Sequence, residues 1–181
     1  MKFSGLFRRD PNAAAAHALY AAAVTQARRD SFYLRGGVPD TIDGRFDMVA
    51  LHAYLILRRL GREGKQASAL SQAIFDIMFA DMDQNLREIG VGDLSVGKKV
   101  KAMAKAFYGR IAAYDAGLDG SDGELGEALR RNVYRKSTAA DEQVVVMVAY
   151  VRRQAAALDA QPLESFMAGE VAFAESGEQG R

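Results

Sequence analysis

The chain has 181 residues, with Lys+Arg 24 against Asp+Glu 23 and a formal net charge of +1. That length suits one domain, the charge balance offers no overall field for DNA, and 49% hydrophobic content is too high for a disordered chain. Zero cysteines exclude disulfides and thiolate chemistry, and only two histidines, His17 and His52, remain for a zinc site or a catalytic dyad.

Residues 1–10 set Phe3, Leu6 and Phe7 beside Lys2, Arg8 and Arg9 without the apolar stretch of a secretory signal. They read as a flexible N-terminus, with peripheral contact to an anionic membrane as the alternative. Asp10-Pro11 then opens a helix that runs through an alanine-rich stretch to about Arg29. Gly36-Gly37-Val-Pro39 breaks the chain, and 40–44 reads as loop. Helical spacing resumes over Phe46, Val49, Ala53, Ile56 and Leu60, and Gly61 ends it. A third helix spans about Gln66 to Glu88 with Gly90 as its stop, and a fourth spans about Ser95 to Tyr114.

After a loop at 117–123, Ser121 and Glu124 form a capping box for a shorter helix reaching about Lys136. Thr138 and Asp141 repeat that spacing ahead of a buried helix ending near Asp159. Its apolar run, Val144 to Val151, is eight residues between Glu142 and Arg152, far short of the roughly 20 that cross a bilayer. Pro162 opens a last helix to about Glu175, and 176–181 is a loose tail. The expected fold is all-α, a single compact bundle of six or seven helices over residues 11–175.

Several constellations could carry chemistry. Gly92-Asp-Leu-Ser-Val-Gly-Lys98 has the Gly-x4-Gly-Lys spacing of a phosphate loop, but Lys99 stands where Ser or Thr would hold magnesium, and no strand precedes it. Asp76, Asp81, Asp83 and Glu88 cluster on the third helix without histidine at the spacing of a carboxylate–histidine metal site, and Asp83 pairs by spacing with Arg87. Lys98, Lys101 and Lys105 form a basic stripe opposite the apolar face of the fourth helix, suited to RNA, an acidic partner or anionic headgroups, or simply to solvent. His52, amid apolar neighbours, reads as a satisfied packing residue. Neither a cofactor nor a catalytic residue is expected. An enzyme using Gly92–Lys98 or the acidic helix, and an RNA-binding protein using the lysines, remain as alternatives.

The run from Phe75 to Lys101, FDIMFADMDQNLREIGVGDLSVGKKVK, and its continuation Met103 to Tyr114 containing Ala106-Phe-Tyr-Gly-Arg110, resemble the signature of the ubiquinol–cytochrome c chaperone family. The resemblance is clearest from about Tyr33 to Tyr114. It implies a non-catalytic assembly factor for respiratory complex III, with newly made cytochrome b as client and, in mitochondrial members, the ribosome and a small partner protein beside it. Without a mitochondrial presequence the chain resembles a bacterial, cytoplasmic relative, peripheral at most to the inner membrane. Such a chaperone needs an exposed apolar cleft with a charged rim. The expected groove is lined by Met78, Phe79, Met82, Leu86, Phe107 and Tyr108. Asp83, Arg87, Glu88, Asp93, Lys98, Lys99 and Arg110 form its rim or brace the link, and Gly90 and Gly92 are its hinge, one of them at positive φ.

Overall fold

Eight α-helices follow one another in the computed structural model, which describes residues 11–175; the expected flexible N-terminus and loose tail, 1–10 and 176–181, lie outside the described residues. The helices are α1 (Pro11–Ala27), α2 (Asp30–Leu34), α3 (Ile42–Gly61), α4 (Ser68–Glu88), α5 (Asp93–Asp119), α6 (Asp122–Asn132), α7 (Asp141–Asp159) and α8 (Leu163–Met167), with a 3-10 turn at Gly64–Gln66. No strand occurs among the described residues. The seven expected helices are present, and α2 is an eighth, with Phe32 buried.

The core is organised on α3. Every residue from 47 to 56 is buried, so this helix is enclosed on all sides, the pattern of a central helix rather than a half-exposed one. It packs against α1, α4, α5 and α7; α1 also meets α4 and α8, α5 meets α4 and α6, and α6 meets α7. Two close approaches set these packings. A Cβ on Gly117 would stand 2.7 Å from Leu125 Cα, so glycine lets α5 and α6 cross backbone to backbone. Gly44 admits the carbonyl of Pro39, which a Cβ would meet at 2.0 Å.

The element boundaries differ from expectation where a local hydrogen bond decides them. The segment 40–44 is not all loop, because Thr41 Oγ1 accepts from the Gly44 N–H at 3.1 Å and starts α3 at Ile42. The Ser121–Glu124 capping box forms as expected, with Ser121 N donating to Glu124 Oε2 at 2.7 Å. Thr138 does not cap α7; Ala140 occupies that position, and Gln143 Oε1 accepts the Ala140 N–H at 3.0 Å. Helix α5 runs one turn beyond Tyr114, and Arg152 of α7 bonds the carbonyls of Gly117, Leu118 and Gly120 at its end. The last helix is the shortest surprise. It stops at Met167, Gly169 takes φ +81°, and 171–175 continues as an extended strap.

Candidate functional site

Helix α4 carries two apolar faces. Leu70, Ile74 and Met78 are fully buried on the face turned to the core. At about 100° per residue, Phe75, Phe79, Met82, Leu86 and Ile89 fall within about 80° of arc on a second stripe. From Phe79 onward exposure along that stripe grows toward the end of the helix. Phe79 and Met82 are buried, Leu86 is half-buried, and Ile89 is 56% exposed. Across the seam α5 contributes Phe107 and Tyr108, with Phe75 at 4.6 Å from Phe79, 6.1 Å from Phe107 and 5.5 Å from Tyr108 between ring centroids. These are tilted aromatic contacts, favourable beyond their buried area. Tyr108 is 61% exposed, so the seam opens to solvent on its side.

The link between the two helices is fixed by charge and by one glycine. Gly90 has φ +85°, Val91 N bonds Leu86 O at 3.0 Å and Gly90 N bonds Arg87 O at 3.0 Å, the paired bonds of a Schellman stop. Arg87 Nε donates to Asp83 Oδ2 at 2.6 Å, and Arg87 Nη1 donates to Asp93 Oδ1 in the first turn of α5. Arg87 therefore staples the last turn of α4 to the first turn of α5. Of the two expected hinge glycines, Gly90 takes the positive φ; Gly92, at φ −61°, is an ordinary residue before the helix.

Five expected placements are corrected, two of them Phe79 and Met82, which are buried and line the closed part of the seam and not an open groove. Met78 and Phe107 are fully buried and belong to the core, so neither lines an open groove; the Phe107 ring stands 6.1 Å from Phe75 and 6.0 Å from Phe79 of α4. Arg110 is no rim residue. It is buried, its Nη2 donates to Asp47 Oδ1 of α3 at 2.5 Å, and its guanidinium stands 5.2 Å over the Phe46 ring. Arg135 donates to the other carboxylate oxygen at 3.0 Å. Burial pushes the Asp47 carboxyl up, and the two guanidiniums oppose that shift. The pair lacked a sequence signal because Asp47 and Arg110 lie 63 positions apart. Ile89 and Leu94, both exposed, are the surface apolar residues that sequence reasoning left out of the site. Their signal was position, large aliphatic residues flanking a glycine link.

The other constellations resolve simply. Residues 93–98 are the opening of α5, so Gly92–Lys98 is helix and not a phosphate-cradling loop. Among the described residues no three of His, Asp or Glu converge as a metal site would require. Asp81 accepts from the Tyr20 hydroxyl at 2.7 Å, and Asp76 accepts from Gln72 at 2.8 Å. His52 Nδ1–H donates to Met48 O at 2.8 Å, which leaves Nε2 to accept from the Tyr150 hydroxyl at 2.6 Å. Gln26 in turn donates to Tyr150 at 3.0 Å. Full burial holds His52 down to about 4, so it is a neutral packing residue in a satisfied chain of hydrogen bonds. Lys98, Lys99, Lys101 and Lys105 are exposed and make no ion pair with the acidic helix or any other described residue.

A family model described as Ubiquinol-cytochrome C chaperone matches residues 34–173. Ubiquinol-cytochrome c reductase complex assembly factor 1 of Mus musculus is 31% identical over 158 residues, 87% of this chain and 54% of that protein. The Xenopus laevis protein of the same description is 29% identical over 160 residues, covering 88% of this chain and 80% of its own length. The chain thus spans about half the length of the mouse relative. The crystal structure of the Cbp3 homolog from Brucella abortus superposes with a TM-score of 0.83 at 36% identity, covering 93% of each chain. Among the described residues no helix is long and apolar enough to cross a membrane.

Proposed function

The chain belongs to the ubiquinol-cytochrome C chaperone family, and from that premise we propose that it assists assembly of ubiquinol–cytochrome c reductase by holding the apolar membrane subunit cytochrome b before it is built in, with no reaction catalysed. The observation that carries this reading is the second apolar stripe of α4, which leaves the core near Phe79 and Met82 and reaches solvent at Leu86 and Ile89. Packing on α1, α3 and α5 accounts for the buried part of that stripe, and its last turn runs beyond them into solvent. That exposed end, with Tyr108 open beside Phe75 at the opposite end of the seam, offers the graded, pliable surface that suits a transmembrane segment. Asp83, Arg87, Glu88 and Asp93 at its margin supply the polar rim, and Arg87 holds both helices in register.

Deleting the gene tests the role: the reading expects cytochrome b and assembled complex to fall together, and normal levels of both would sink it. Photo-crosslinkers placed at Leu86, Ile89 and Tyr108 test the surface. They should capture cytochrome b, while one at the exposed Glu127 of α6 should not. The variant Asp83→Ala/Arg87→Ala should lose client capture and remain folded, since all three partners of the staple reach solvent.

A further inference from the structure

Beyond the client role, and independent of it, we propose that the outer face of α5 docks on an anionic lipid bilayer. From 94 to 114 the sequence holds no Asp or Glu. The exposed residues over that span include Lys98, Lys99, Lys101 and Lys105, and apart from Leu94 and Tyr108 the rest are small. A face evolved only for solvent normally interleaves both signs; this one is cationic and level. None of the four lysines makes an ion pair among the described residues. At about 100° and 1.5 Å per residue, Leu94, Lys98, Lys101 and Lys105 share one line roughly 16 Å long.

The apolar content selects lipid over other polyanions. Leu94 is 100% exposed in the first turn of α5, and Ile89 stands across the link from it. A nucleic acid gains nothing from a bare leucine, whereas a bilayer buries it below the phosphate level while lysine stems run up to the headgroups. Small exposed residues flanking the lysines, Gly97, Ala102 and Gly109 among them, let the helix lie close to a flat surface. The nearby acid Asp93 is already engaged by Arg87, so it does not cancel the stripe. Laid this way, the α4–α5 seam sits beside the membrane surface, and Tyr108 marks the boundary between the two faces.

The experiment is co-sedimentation of the full chain with vesicles of phosphatidylglycerol and phosphatidylcholine in equal parts, against pure phosphatidylcholine. Binding should be at least about tenfold stronger to the anionic vesicles and should weaken as salt rises. Lys98→Gln/Lys101→Gln/Lys105→Gln should cut it roughly a hundredfold, and Leu94→Ser roughly tenfold, with circular dichroism unchanged because all four side chains are exposed. Three results would overturn the proposal: no sedimentation with anionic vesicles, tighter binding to a single-stranded RNA than to them, or sedimentation that survives the lysine variant and disappears in Phe3→Ser/Phe7→Ser.

Discussion

At the scale of single residues, two of the buried ionisable groups of α3, Asp47 and His52, make opposite demands on the fold. Asp47 is charged and needs its partners, because two guanidiniums converge on it and Arg110 is itself buried. Removing the carboxylate strands the Arg110 charge in the interior, a loss of about 3–5 kcal/mol. Urea unfolding of Asp47→Ala should show it, and Asp47→Leu/Arg110→Met should recover much of the loss by removing both charges together. A rim arginine would give almost no change. His52 is the reverse case, neutral because it is buried. Its folded value of about 4 lies below the ordinary 6.5, so the unfolded chain takes up a proton that the folded chain refuses. Stability therefore falls as pH drops from 6.5 toward 4, by about 3 kcal/mol from this group alone. The unfolding free-energy difference between wild type and His52→Gln should shrink by about that much across the window. A difference independent of pH would mean that His52 is not held neutral.

At the scale of helices, what could be read in advance was whatever is encoded within a few residues. The capping box at Ser121, the glycine stop at Gly90 and the Asp83–Arg87 pair are local spacings, and each forms. Helix α3 was legible as a helix but not as the central one, since burial on all sides depends on what four other helices do. The seam shows the same limit. Periodicity placed Met78 and Phe79 on different faces of α4, but only packing decides that the first faces the core and the second leads to the open stripe. Glycines in α5 turn this into a measurable contrast. Gly97 and Gly109 have nothing within 4 Å of an added Cβ, so Gly97→Ala should stabilise by about 0.5–1 kcal/mol through helix propensity. Gly117→Ala would drive its Cβ to 2.7 Å from the Leu125 backbone and should destabilise by about 1–3 kcal/mol instead. Thermal unfolding of the two variants should move in opposite directions; equal shifts would mean that α5 and α6 do not touch at Gly117.

At the scale of the whole molecule, the least legible part is the strap after α8, where an alanine-rich sequence reads as helix and folds as extended chain. The reason lies on α7. Gln154, fully buried, accepts from Ala174 N at 2.7 Å and donates to Ala174 O at 2.9 Å, and Gln161 does the same with Ala172 at 2.9 and 2.8 Å. A side-chain amide presents the same donor and acceptor as a peptide, so two glutamines seven residues apart act as a ladder for an extended strand. Between them Phe173 turns inward and sets its ring 5.4 Å from that of His52. The strap thus closes the core over the histidine whose neutrality α3 depends on. Gln154→Ala should cost about 2–4 kcal/mol, from two lost hydrogen bonds and a cavity. Two further readouts distinguish a strap from simple packing loss. Hydrogen exchange at Ala172 and Ala174 should quicken well before the helices do, and the imidazole titration, followed by NMR, should climb from about 4 toward the ordinary 6.5 as water reaches His52. Fast exchange in the strap with the histidine unmoved would show that the other neighbours of His52, Phe32 of α2 and Tyr150 of α7 among them, keep it dry, and that the strap merely rests on a core already sealed.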